Sequence, residues 1–144
     1  MFGIVGSMSN YSVELSCYMV ELYKMDLRDL LLPKGAQAVK LDIKENAANG
    51  MVYLPGVTEK KISSIEEAIN IFQYGLEHRM TRATKMNSAS SRSHLIFSII
   101  IIAVNKQTKV RTAGKLTFVD LAGSEKAGKT GTDKEGAAEG RAIN

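Results

Sequence analysis

The sequence predicts an α/β fold, a mixed central β-sheet flanked by helices, from three observations. The run from His94 to Val104 is continuously apolar and β-branched, as a central strand buried on both faces requires. Lys115-Leu116-Thr117-Phe118-Val119-Asp120 reads as a second core strand close behind it. Ahead of both, Ile65, Ala68, Ile69, Phe72 and Leu76 form a helical stripe suited to packing one face on a sheet. The chain has 144 residues, 44% hydrophobic and 24% charged, enough for one domain with a real core.

The remaining elements follow in order. Val13, Leu15, Cys17 and Met19 alternate with polar or aromatic neighbours, a period of two that marks a strand. Met25 to Leu32 reads as a short helical turn stopped by Pro33. Val39, Leu41 and Ile43 alternate with Lys40, Asp42 and Lys44. Asn46 to Gly50 supplies turn chemistry and Met51 to Leu54 resumes an extended run, so the two predict a hairpin. Ser63 or Ser64 can cap the helix, with a Glu three residues on in either register. The helix fades through Arg79 to Lys85 into a serine-rich loop, Met86 to Ser93. Asn105 to Gly114 is a basic connection between the core strands, and Leu121 to Gly140 is glycine-rich and polar.

Composition excludes several classes. The single cysteine, Cys17, rules out an internal disulfide framework and a cysteine-based zinc site, and a reducing compartment is the default. His78 and His94 leave little scope for a multi-histidine metal centre. No segment reaches the roughly 20 apolar residues that cross a bilayer, and the N-terminus lacks the order of a secretory signal. Neither a membrane nor nucleic acid is expected as a partner. A net charge of +4 is compatible with an acidic partner without demanding one.

Two loops carry chemistry. Asp120 stands at the end of a core strand with Gly123 three residues on. Nucleotide hydrolases hold Mg²⁺ through an acid at such an edge and need a backbone N–H close to the terminal phosphate. Alone, a strand-terminal Asp has a plainer reading as a turn cap. Asn87-Ser88-Ala89-Ser90-Ser91-Arg92-Ser93-His94 places four hydroxyls, a guanidinium, an imidazole and an amide immediately before the other strand. Hydroxyls can complete a Mg²⁺ shell, and arginine can pair bidentately with phosphate or carboxylate. By composition alone this is a solvated serine-rich loop. His94, entering an apolar strand, reads first as a packed, hydrogen-bonded residue.

The order of residues in these loops resembles a family. Asn-x-x-Ser-Ser-Arg-Ser-His at 87–94, followed by Asp-Leu-Ala-Gly-Ser-Glu at 120–125, is similar to switch I and switch II of the kinesin motor domain. Gly56-Val57-Thr58-Glu59 agrees with it, and Glu139 to Asn144 resembles the opening of the switch II helix. Tyr18 to Leu22, Leu30 to Lys34 and Lys40 to Lys44 look most like the minus-end-directed, C-terminal-motor branch, in particular its calmodulin-binding member. The implied fold is a partial kinesin-type P-loop NTPase, truncated at both ends. The family's phosphate loop would precede Met1 and its C-terminal helices would follow Asn144.

The resemblance implies roles. Ser91 would give its hydroxyl to Mg²⁺, Ser90 would help hold the attacking water, and Asn87 would lie near the phosphates of ATP. Asp120 would bind Mg²⁺ through water, and the N–H of Gly123 would sense the γ-phosphate. Arg92 and Glu125 would form the salt bridge that closes the two switches. Lys60, Lys61, Lys126 and Lys129 are candidates to meet the acidic surface of tubulin. The implied activity is microtubule-stimulated ATP hydrolysis in the cytoplasm, on the cytoskeleton, with calmodulin as a partner only through regions outside these residues. Without a phosphate loop the isolated chain is expected to be inactive and to bind ATP weakly or not at all.

Two alternatives stay open. One is a non-catalytic microtubule-binding module. The other is a nucleotide-binding protein using Gly123-Ser124-Glu125-Lys126-Ala127-Gly128-Lys129-Thr130, which fits the phosphate-loop pattern after a strand. Against the latter, Gly131 to Gly136 is poor helix material, whereas a phosphate loop opens directly into a helix.

Overall fold

The computed structural model describes residues 3, 8–83 and 92–123. Among the described residues, eight elements follow one another: β1 (Tyr11–Tyr23), β2 (Asp26–Asp29), β3 (Lys44–Glu45), β4 (Val52–Tyr53), β5 (Lys60–Lys61), α1 (Ile65–Ala83), β6 (Ser93–Asn105) and β7 (Arg111–Asp120). The main sheet runs β2-β1-β6-β7, with β5 on β1 as well, and β3 pairs β4 in a small hairpin. Each of these pairings is antiparallel. All 13 residues of β1 pair with β6, from Tyr11 opposite Asn105 to Tyr23 opposite Ser93.

The core lies on both faces of this sheet. On one, Leu15, Cys17, Met19, Leu95 and Phe97 pack with Leu30, Leu31 and Ile62, and α1 covers them through Ala68, Ile71, Phe72 and Leu76. Phe72 meets Phe97 edge-on, 5.2 Å between ring centroids. On the other, Tyr18 and Val20 pack with Leu41 and Leu54. Cys17 is fully buried, and burial first, then the Glu59 and Glu67 carboxylates, pushes its thiol up to about 11. It is therefore an inert core residue.

The helix start is as expected. Ser64 Oγ accepts from the N–H of Glu67 at 3.1 Å, and Glu67 Oε2 accepts from the hydroxyl and N–H of Ser63 at 2.6 and 2.7 Å. Those bonds hold the Glu67 carboxyl below its ordinary range. Their contribution is present at neutral pH and is lost as pH falls through that lowered range. The buried stripe, however, differs from the prediction. Ile65 and Ile69 are exposed, while Ile71 joins Phe72 and Leu76 against the sheet. The capping serines fix where the helix begins, and the sheet then selects a face rotated toward Gly75.

Gly75 is where the helix comes closest. A Cβ there would run into Met19 Sδ and lie 3.4 Å from Leu31 Cδ2, both on fully buried side chains. Gly75→Ala gains about 1 kcal/mol of helix propensity. It overpacks a filled site at about 1–3 kcal/mol. A net loss of about 1 kcal/mol is expected in urea denaturation.

Three other expectations are corrected. Met25 to Leu32 is not a helical turn. Lys24, at φ 56°, turns the chain with Met25, and Asp26–Asp29 pairs back on β1. Asp29 then ties the next loops, accepting from the N–H of Leu31 at 2.9 Å and of Thr58 at 2.6 Å. Val39 to Ile43 forms no strand, so the β3–β4 hairpin is shorter than predicted, although Leu41 is buried. Finally, β7 begins at Arg111 and is the outer strand of the described sheet, with Leu116, Phe118 and Val119 exposed. Its apolar content made it read as a core strand.

Candidate functional site

The β6–β7 register brings the two chemistry-bearing segments to one end of the sheet. Leu95 lies opposite Asp120, so β6 begins where β7 ends. Arg92 is half-buried immediately before β6, and Gly123 is half-buried three residues beyond Asp120.

Arg79, on α1, joins these strands. It is 8% exposed. Its Nη1 donates to Asp120 Oδ2 at 3.2 Å and its Nη2 to the carbonyl of Ser93 at 3.0 Å. Its Nε lies 3.5 Å from Glu21 Oε1. Glu21, on β1 and 3% exposed, also accepts from the hydroxyl of Ser93 at 2.6 Å, and its other oxygen is 4.0 Å from Arg28 Nη1. A buried carboxylate thus has two cations and a hydroxyl, and a buried guanidinium has two acids and a carbonyl. Such charge pairing is what makes buried charge tolerable, although the Nε of Arg79 meets Glu21 as an ion pair and not as a hydrogen bond. Asp120 is the open member, its side chain 70% exposed.

A second link crosses between the segments. The N–H of Ala122 donates to His94 Nδ1 at 3.1 Å. His94 is thus half-buried and hydrogen-bonded, in line with its plainer reading.

Asp120, Gly123 and the loop ends at Arg92 and His94 are therefore gathered at one corner. Asn87, Ser90, Ser91, Glu125, Lys126 and Lys129 lie outside the described residues, as does Gly123–Thr130 beyond its first member and the segment 139–144. Lys60 and Lys61 are far along β1 from this corner, paired opposite Cys17 and Ser16 in a short strand rather than a loop. Lys61 is 3.9 Å from Glu14, both side chains well exposed.

Sequence reasoning missed Arg79 and Glu21, yet each left a signal. Leu15, Cys17 and Met19 face α1, and Glu21 is next on that alternation. Phe72 and Leu76 mark the inner face of α1, and Arg79 continues it. A charge on a buried phase must have a partner.

Comparison with known proteins settles the family. The kinesin motor domain family model matches residues 1–144. The chain belongs to the kinesin motor domain family. It is 47% identical over 134 residues to kinesin-like protein KIN-14E of Arabidopsis thaliana, covering 93% of this chain and 11% of that protein. It is 50% identical over 134 residues to kinesin-like protein KIN-14I of Oryza sativa subsp. japonica, again 93% and 11%. The KIN-14 names are in keeping with the branch to which the sequence pointed. A solved structure described as a fast kinesin superposes with a TM-score of 0.82 at 38% identity, over 99% of this chain and 39% of that one. The partial kinesin-type α/β fold is thus confirmed, and the kinesin sequence here spans 11% of the length of each of those two curated relatives.

Proposed function

We propose that this kinesin segment works within an ATP-driven microtubule motor, with residues 87–94 as switch I and 120–125 as switch II. The observation that carries it is the shared corner: Arg79 holds the start of β6 and the end of β7 together, and Asp120 stands open beside them.

The donor set suits a hydrated Mg²⁺. Arg79 takes Asp120 Oδ2, and the carboxylate is otherwise largely open to water, fitting a group that grips a hydrated ion rather than the bare cation. Ser91 would add its hydroxyl. Bound Mg²⁺ would neutralise charge developing on the phosphates.

The residues of the chain do the rest. Asn87 would sit near the phosphates, and Ser90 would help hold the attacking water. The N–H of Gly123 donates to the γ-phosphate, where absence of a Cβ permits close approach. Pairing of Arg92 with Glu125 closes the switches, excludes water and fixes the nucleophile. Release of that pair after hydrolysis frees the segment beyond Glu125, and the state of the nucleotide becomes a change at the microtubule surface. Lys60, Lys61, Lys126 and Lys129 supply positive charge there. The exposed Lys61–Glu14 contact is worth at most about 1 kcal/mol, so it leaves Lys61 available to tubulin.

Microtubule-stimulated ATP turnover of the full-length protein tests this reading. Ser91→Ala should abolish turnover, and Lys129→Ala should leave nucleotide binding intact. Loss of nucleotide binding in Lys129→Ala, with Ser91→Ala unaffected, would assign the phosphates to Gly123–Thr130 instead.

A further inference from the structure

We infer that His94 is a positioning residue through which the start of β6 sets the backbone of the loop that follows β7. The inference rests on the functional reading above and adds a role for a residue that this reading leaves idle.

The β6–β7 ladder ends at Leu95 opposite Asp120. Beyond it, Leu121 is 71% exposed, so packing does little to hold it. Among the described residues, the hydrogen bond reaching past the ladder is the one from Ala122 N–H to His94 Nδ1, 3.1 Å long and 28 residues apart in sequence. A backbone N–H can only donate. Nδ1 must therefore present its lone pair, which places the ring proton on Nε2.

This bond fixes the plane of the Leu121–Ala122 peptide. The next residue is Gly123, whose N–H would reach the γ-phosphate. Glycine at that place permits close approach but brings no stiffness of its own. The imidazole supplies an external reference point. It stands on a β-strand, a rigid element, rather than on either loop. It also closes the motif that begins at Asn87. A displacement of the start of β6 would therefore move the backbone next to Gly123 directly, without passing through the Arg92–Glu125 pair.

The test uses the full-length protein with His94→Leu and His94→Asn. Leucine removes the acceptor. The Oδ1 of asparagine falls close to where Nδ1 sits and can accept the same bond. Loss of one such bond corresponds to about a three- to tenfold effect. His94→Leu should lower microtubule-stimulated kcat by that factor, with the KM for ATP within about twofold of wild type. His94→Asn should restore most of it. Amide exchange at Ala122 gives a readout that needs no turnover: faster in His94→Leu, near wild type in His94→Asn. Equal turnover in the two variants with unchanged exchange at Ala122 would overturn the inference. If the wild-type protein shows no ATP turnover, the functional reading fails instead, and the exchange of Ala122 still decides the tether. Should His94→Leu not fold, exchange and turnover in His94→Asn decide alone, and a loss there of tenfold or more would count against an acceptor role.

Discussion

Arg79→Leu is expected to destabilise the motor domain by about 3 kcal/mol, the lower end of the cost of breaking a buried ion pair by removing one partner. The reason is what remains. Glu21 stays 3% exposed, with the Ser93 hydroxyl at 2.6 Å and Arg28 at 4.0 Å as its remaining partners. Those two soften the loss and place it at the low end. Asp120 contributes little to the penalty, because its open side chain regains water. Removing both buried charges, in Arg79→Leu with Glu21→Leu, should therefore cost less than Arg79→Leu alone. Urea denaturation of the wild type, Arg79→Leu, Glu21→Leu and the double variant measures this. An Arg79→Leu cost below about 1 kcal/mol would mean that the guanidinium does not hold this corner together.

Glu125→Ala is expected to slow microtubule-stimulated ATP turnover by about 100-fold or more, the scale of losing one pre-placed electrostatic contact in a closed site. Microtubule affinity should change by less than about threefold, since removing one charge that has no assigned tubulin contact is worth only a fraction of a kcal/mol. The asymmetry follows from the assigned role. A salt bridge that closes the switches acts on the step in which water attacks, whereas tubulin contact is assigned to Lys60, Lys61, Lys126 and Lys129. Steady-state turnover and co-sedimentation with microtubules separate the two quantities. Loss of binding with unchanged turnover would contradict the assignment.

Much of the fold was legible in the sequence, and the misses share a cause. The continuous β-branched run of β6 and the capping serines of α1 are local signals, and local signals survive without tertiary information. β2 was not legible because its turn uses Lys24 and Met25, neither a usual turn residue, while Leu30, Leu31 and Leu32 imitate a helical run. What makes Asp26–Asp29 extended is pairing with β1, and Asp29 anchors the neighbouring loops.

The site divides in the same way. Asp120 and Gly123 could be picked out by their place at a strand end. The Ser93–Glu21 bond spans 72 residues and the Arg79–Asp120 bond spans 41, so no window of sequence contains either pair. Only their phase, a charge continuing a buried stripe, gave them away.

The closure of the two switches is tested most directly by a double-mutant cycle on turnover with Arg92→Ala and Glu125→Ala. If the guanidinium and the carboxylate form one pair, either single variant removes it, and the double variant turns over about as slowly as the slower single. If the two losses multiply instead, the groups act independently and the closing salt bridge does not exist.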